Sequence, residues 1–190
     1  FDLLLYGARL LDDSQTLTGE ARQQARQRLD LLTPVIKSWP SEFCLKANEL
    51  AVQTLGGYGF TRDHPVEQHY RDNRVNAIHE GTNGIQSLDL LGRKIGQHGG
   101  DSFNQLLQLI DDTCSRSEAF ASLQPLRAPL QQLQQRVQAV SRSLLGDEDS
   151  ERALANSALY LKVFGHLVIG WRWLERAIRA EEGLARGNPA

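Results

Sequence analysis

Apolar positions along the chain recur mostly at intervals of three and four, the spacing that places side chains on one face of an α-helix. Over residues 20–39 they are Ala21, Ala25, Leu29, Leu32, Ile36 and Trp39, and Pro34 is expected to kink that helix. A second helix is expected over 41–55, started by Pro40-Ser41-Glu42, with Phe43 or Cys44, Ala47, Leu50 or Ala51 and Leu55 on one side. Gly56-Gly57 should stop it. Residues 58–65 have the Gly, Asp and Pro content of a loop, and a short helix is expected from 66 to about 72. Thr82 is a start signal for a helix carrying Ile85, Leu88, Leu91 and Ile95 at helical spacing. The first residues, from Phe1 onward, already read as the middle of an amphipathic helix.

Beyond Gly100 the pattern simplifies. Leu123, Leu126, Leu130, Leu133, Val137, Val140 and Leu144 form one narrow stripe that needs a partner helix. Pro125 and Pro129 are expected in or before its first turn, where a missing N–H costs little. The last helix, expected over about 149–182, repeats the stripe with Leu154, Ala158, Leu161, Phe164, Val168, Trp171, Leu174 and Ile178. Trp173 points to another face and is expected against a third helix or another subunit, with core packing the reading for both tryptophans. No segment alternates with the period of a strand, so the pattern predicts an all-α fold of antiparallel helices. Residues 96–101 are the best boundary, dividing the chain into 1–97 and 98–190.

Composition narrows the functional classes. A chain of 190 residues can bury a sizeable core, and its formal net charge of -2 argues against a nucleic-acid or membrane-surface partner. No apolar run approaches the roughly 20 residues of a membrane span, and the start lacks a cationic n-region. The chain reads as soluble and intracellular, and a cytoplasmic protein is expected. Cys44 and Cys114 are far apart and framed by neither CxxC nor CxxH, so both are expected as small apolar core residues. With no Met at any position, the chain is expected to be a piece of something longer.

More than half of the 16 glycines lie between Gly56 and Gly100, and candidate chemistry lies there too. Gln53-x-x-Gly56-Gly57-Tyr58-Gly59 ends a helix with bare backbone groups, which suits either a C-cap or a loop that lets a cofactor approach. Its spacing matches neither GxGxxG nor the P-loop. In Ile78-His79-Glu80-Gly81-Thr82-Asn83-Gly84, Glu80 falls just before a helix start. A carboxylate withdrawn from water there suits a general base, although Thr82 as N-cap and Glu80 as a dipole-complementing acid explain both residues without catalysis. His64, Glu67, His69, His79 and Asp72 invite a metal reading, but no pair among the first three has i, i+4 spacing, and no metal is expected.

The run 51–60, followed by Pro65-Val66-Glu67, Arg71-Asp72 and Ile78-His79-Glu80-Gly81-Thr82, resembles the C-terminal helical domain of flavin-dependent acyl-CoA dehydrogenases. The resemblance is dense over about residues 1–95. The segment around Tyr160 to Trp173 looks like the branch with an extra C-terminal helical segment, which acts on small or unusual acyl thioesters. The resemblance implies α,β-dehydrogenation of an acyl-CoA, with Glu80 removing the α-proton as a hydride leaves the β-carbon for FAD. It implies electron-transfer flavoprotein as the acceptor and a homodimer or homotetramer. It places the backbone around Glu80 and Gly81 at the thioester carbonyl, Gln53, Gly56 and Gly57 against a neighbouring subunit's FAD, and Thr82 and Gly84 against the subunit's own. His79 stands where an aromatic is frequent, and Gly84 where a Gln is frequent. The family also needs an N-terminal helical and a middle β-domain, so the 190-residue piece alone is expected to be inactive. The alternatives are a non-enzymatic helical scaffold or oligomerisation module, suggested by the leucine stripes, and the same fold turned to another flavin task.

Overall fold

A computed structural model describes residues 1–187; residues 188–190, the tail of the expected second segment, lie outside the described residues. Among the described residues there are eight α-helices, short 3-10 turns, one π-helical stretch and no strand, so the fold is all-α. The order is α1 (Asp2–Thr16), α2 (Gly19–Leu55), α3 (Val66–Arg74), α4 (Asn83–Asp89), α5 (Asp101–Ser117), α6 (Gln124–Leu145), α7 (Ser150–Leu154) and α8 (Ser157–Ala185).

α8 is the central element, because its apolar positions cover more than one side. Tyr160, Leu161, Phe164, Leu167, Val168, Trp171, Leu174 and Ile178 are all buried. Around it pack α1 through Leu3 and Leu10, the first half of α2 through Leu31, Leu32 and Val35, α5 through Phe103, Leu106 and Ile110, and α6 through Leu130 and Val137. α2 and α8 approach closely at Gly165, where a Cβ would come within 2.5 Å of the Trp39 ring. Several polar side chains inside this body are bonded, while Ser38 Oγ and Gln134 Oε1 are buried without a partner among the described residues. Trp171 Nε1 donates to Thr113 Oγ1 at 2.8 Å, and Gln134 Nε2 donates to Leu107 O at 3.1 Å and Asp111 Oδ1 at 2.9 Å. Buried Lys94 pairs with Asp30 and lies 3.7 Å from Asp89 Oδ2. Burial pushes the Tyr160 hydroxyl up to about 12, partly offset by its hydrogen bond to Ser141.

The expected boundary region turns through three left-handed residues, His98, Gly99 and Gly100, with φ of 55°, 69° and 85°. Hydrophobic side chains from both sides of that turn meet in one buried cluster.

Several expectations are corrected. The helix does not restart at Pro40: α2 runs unbroken through Pro34 and Pro40. Each proline removes one i to i−4 bond, but Pro34, Val35, Ser38 and Ser41 are buried around them, so tertiary packing holds the axis together. The 101–117 segment, not assigned from its pattern, is α5, with Phe103, Leu106, Leu107, Ile110 and Cys114 at helical spacing. The start of the loop expected over 58–65 instead joins Gly56-Gly57 in a 3-10 turn over Gly56–Phe60. Pro129 is the sixth residue of α6 rather than part of its first turn. The last helix is two, because the Asp149 carboxylate caps a separate short helix by accepting from the N–H groups of Glu151 and Arg152.

Burial corrects the stripes as well. Ile85, Leu88, Leu126 and Val140 are exposed while Ser87, Leu90, Gln134 and Ser141 face inward. Ser87, Gln134 and Ser141 are tolerated inside because each finds a hydrogen-bond partner there. Cys114 is buried as expected, but Cys44 is exposed, because no residue of α2 beyond Ser41 is buried. Trp171 is 3% exposed and Trp173 67%, so Trp173 is not part of this chain's core.

Candidate active site

Past Ser41 the second half of α2 leaves the packed body, and α3 with its flanking turns folds back along it. Polar side chains tie this limb together. Asn73 Nδ2 donates to Asn48 Oδ1 at 3.0 Å, Asn76 Nδ2 to Asn73 Oδ1 at 2.8 Å, and Lys37 Nζ to Asn76 O at 2.5 Å. Lys37, Asn48, Asn73 and Asn76 were not singled out by sequence pattern. The i, i+3 spacing of Asn73 and Asn76 is the one signal that could have marked them.

This bracket delivers the chain to Glu80. His79 Nδ1 donates to Val75 O at 2.9 Å and ends the preceding turn. Glu80 itself has φ 53°, in the left-handed region where side-chain-bearing residues are uncommon, and Gly81 follows at φ 89°. The backbone conformation at Gly81 requires glycine, and a Cβ there would also displace the end of the Gln86 side chain, whose Nε2 lies 2.7 Å away. Thr82 then caps α4, its hydroxyl accepting from the Ile85 N–H at 3.2 Å. The capping role anticipated for Thr82 is therefore present. Glu80 lies two residues before that cap with a left-handed backbone, which capping by Thr82 does not require.

Glu80 is exposed and lines an open cavity of about 260 Å³ with Ile36, Lys37, Ser41, Cys44, Asn76 and His79. Gln53 lies elsewhere, in a cleft of about 420 Å³ with Val52, Gly59, Phe60, Tyr70 and Arg71. Gly84 borders a third cavity, of about 150 Å³, on the α8 side. A groove of about 820 Å³ between α1, the start of α2 and residues 97–102 contains none of the anticipated site residues. Among the described residues no three His, Cys, Asp or Glu side chains converge as a metal site, and His64 packs edge-on against Tyr58.

The glycines at the end of α2 differ in what requires them. Gly56 has φ 57°, and a Cβ on buried Gly59 would run into the Val52 carbonyl. Gly57 has neither constraint, since nothing lies within 4 Å of the position a Cβ would take. Gly84 is similarly open, with Thr82 Oγ1 at 3.7 Å the nearest atom.

Two family descriptions match the sequence. Residues 11–95 match "Acyl-CoA dehydrogenase, C-terminal domain" and residues 106–190 match "Acetyl-CoA dehydrogenase C-terminal like". Together they take in most of the chain, which belongs to the acyl-CoA dehydrogenase family as its C-terminal helical part. The chain is 35% identical over 174 residues to 3-methylmercaptopropionyl-CoA dehydrogenase of Ruegeria pomeroyi, covering 90% of this chain and 30% of that protein. It is 29% identical over 195 residues to the broad-specificity linear acyl-CoA dehydrogenase FadE5 of Mycobacterium tuberculosis, covering 97% of this chain and 32% of that one. The chain thus spans about a third of the length of these curated relatives. The crystal structure of Caenorhabditis elegans ACDH-11 shares the fold, with a TM-score of 0.71 at 19% identity over 93% of this chain and 30% of that chain.

The anticipated flavin residues can be tested against this geometry. Both sets expose bare backbone: Gly57 at one end of the limb and Gly84 at the other have no intrachain reason to lack a side chain. They are well separated, because Asn83 is bonded to Glu42 while Gly56 follows 14 positions later on α2, about 21 Å along the helix axis. One isoalloxazine ring cannot touch both. The two sets are therefore separate places on the limb, each with bare backbone open to approach.

Proposed function

We propose that the full-length protein is an FAD-dependent acyl-CoA dehydrogenase that oxidises an acyl-CoA thioester to the 2,3-enoyl-CoA, with Glu80 as the base. The observation that carries this reading is the backbone of Glu80. A glutamate held at φ 53° between an anchored turn and a capped helix is a strained arrangement that a dipole-complementing acid does not need. It presents a carboxylate at the rim of a cavity.

On this reading a Glu80 carboxylate oxygen takes the proton from the α-carbon of the thioester. The Glu80 and Gly81 backbone faces the thioester carbonyl, where an N–H donor favours the charge that develops on the oxygen. FAD, when bound, accepts the hydride that leaves the β-carbon as the 2,3-double bond forms. Thr82 and Gly84 border the subunit's own FAD, and Gln53, Gly56 and Gly57 reach that of a neighbouring copy in a homodimer or homotetramer. Support for a shared site is the open space around Gly57 and the exposed Tyr58, Phe60, Leu50 and Leu55 beside it. The substrate is a small or unusual acyl thioester and the acceptor is electron-transfer flavoprotein. The two units, 1–97 and 98–190, are the family's usual helical domain and an added helical segment. No described helix is long and apolar enough to cross a membrane. A cytoplasmic location is supported by the two free cysteines, and cell fractionation tests it.

The deciding experiment replaces Glu80 by Gln in the full-length protein. Loss of the base should lower turnover by about 10²–10⁴-fold while FAD stays bound. Undiminished turnover removes Glu80 from the role. The 190-residue chain alone should show no thioester-dependent flavin reduction.

A further inference from the structure

The turn that carries Glu80 lies at the surface. Glu80, Thr82, Gly84 and Ile85 are all exposed, and behind Asn83 and Gly84 lies the cavity of about 150 Å³, lined also by Ser38, Trp39, Glu42 and Lys162. Where close contact is interrupted, directional bonds add to what holds the segment. One lies within it, Gln86 Nε2 donating to Glu80 O at 3.4 Å, and those from the α2 side converge on Asn83. Its Nδ2 donates to Glu42 Oε1 at 2.9 Å, and its Oδ1 lies 3.4 Å from Ser41 Oγ, whose proton goes mainly to Ser38 O at 2.8 Å. The other oxygen of Glu42 lies 3.9 Å from Lys162 Nζ on α8. One turn further along α4, Ser87 Oγ and Ser157 Oγ, both buried, are 3.1 Å apart, which is a second tether from α8.

We propose that Glu42 is a positioning residue, clamping Asn83 so that the adjoining turn holds the Glu80 carboxylate in place, and that Lys162 links this clamp to the C-terminal helical segment. The assignment rests on the reading of Glu80 as the base. It gives residues 98–190 a role in the reaction although none of them carries an anticipated catalytic group. Glu42 is partly buried and is three residues beyond Trp39, whose ring packs at the α2–α8 crossing, so its own position is fixed from below.

The test compares Glu42→Ala, Glu42→Gln and Lys162→Met in the full-length protein, by steady-state kinetics and by hydrogen exchange of individual amides. Glu42→Ala should lower kcat at least tenfold with KM within about twofold. It should also accelerate exchange of the Ile85 and Gln86 amides at least tenfold, without altering the middle of α6. Glu42→Gln retains an oxygen to accept from Asn83 and should restore most of both, whereas Lys162→Met should cost about two- to threefold in kcat. Unchanged exchange at Ile85 and Gln86, an unchanged kcat despite faster exchange, or equal defects in the Ala and Gln variants would each overturn the proposal. The exchange measurement reads the clamp whatever the chemistry, and Glu80→Gln separately reads the base. A fully active Glu80→Gln enzyme defeats the base and, with it, the positioning role.

Discussion

The body around α8 and the limb beyond Ser41 are built on opposite terms. In the body, a large apolar cluster, a close glycine and a buried indole find partners inside the chain: Phe164 is fully buried, Gly165 faces the Trp39 ring, and Trp171 bonds to Thr113. In the limb, Phe43, Leu50, Leu55, Tyr58, Phe60 and Ile78 are exposed, and Gly57 faces open space. The body thus holds almost all of the buried core, while the limb contributes almost none of it. The family's motifs lie along the limb and at its junction with α8, as expected when one part supplies rigidity and the other supplies groups for an incoming ligand.

This contrast can be broken most sharply with a pair of phenylalanines. Phe164→Ala should destabilise the 190-residue chain by about 3–5 kcal/mol in urea unfolding, because it empties a fully enclosed site. Phe43→Ala, at a residue 49% exposed and stacked only on Trp39 with centroids 4.3 Å apart, should cost about 1 kcal/mol or less. Equal costs would mean that the limb is packed as tightly as the body.

Within the limb, two neighbouring glycines sharpen the same distinction. Gly59→Ala forces a methyl group against the Val52 carbonyl and should cost about 1–3 kcal/mol. Gly57→Ala should change stability by less than about 0.5 kcal/mol and yet weaken FAD retention by the full-length protein through gel filtration. Retention of the full flavin complement by Gly57→Ala would count against an outside contact there.

The smallest effect separates the two thiols. Burial, with a further contribution from the Asp111 charge, pushes Cys114 up to about 11. Its reactive thiolate is scarce at neutral pH and becomes abundant only as pH rises through that value. Cys44 is exposed at the rim of the cavity beside Glu80. Iodoacetamide at neutral pH should modify Cys44 alone, read by peptide mass spectrometry. Labelling of Cys114 under those conditions would show that the body opens readily.

Much of this was legible in the residue pattern. Helical periodicity identified α8 and its stripe from Leu161 to Ile178, Gly56 marked the end of α2, and Thr82 marked the cap of α4, because each depends on interactions within a few residues. The presence of Glu80 beside Gly81 was likewise visible as chemistry in a glycine-flanked bend.

Other features depend on residues distant in the chain, and no local pattern encodes them. Pro40 reads as a break and is not one, because burial of Val35, Ser38 and Ser41 outweighs the lost backbone bond. Cys44 and Trp173 read as core and are exposed, since a stripe specifies which face is apolar but not whether anything covers it. The left-handed backbone of Glu80 is not encoded by its residue type, and the bond from Asn83 to Glu42, 41 residues away, depends on how α2 and α4 pack. Local periodicity thus determined the helices and the candidate groups, and only tertiary packing decided which side chains the body would enclose and which the limb would present.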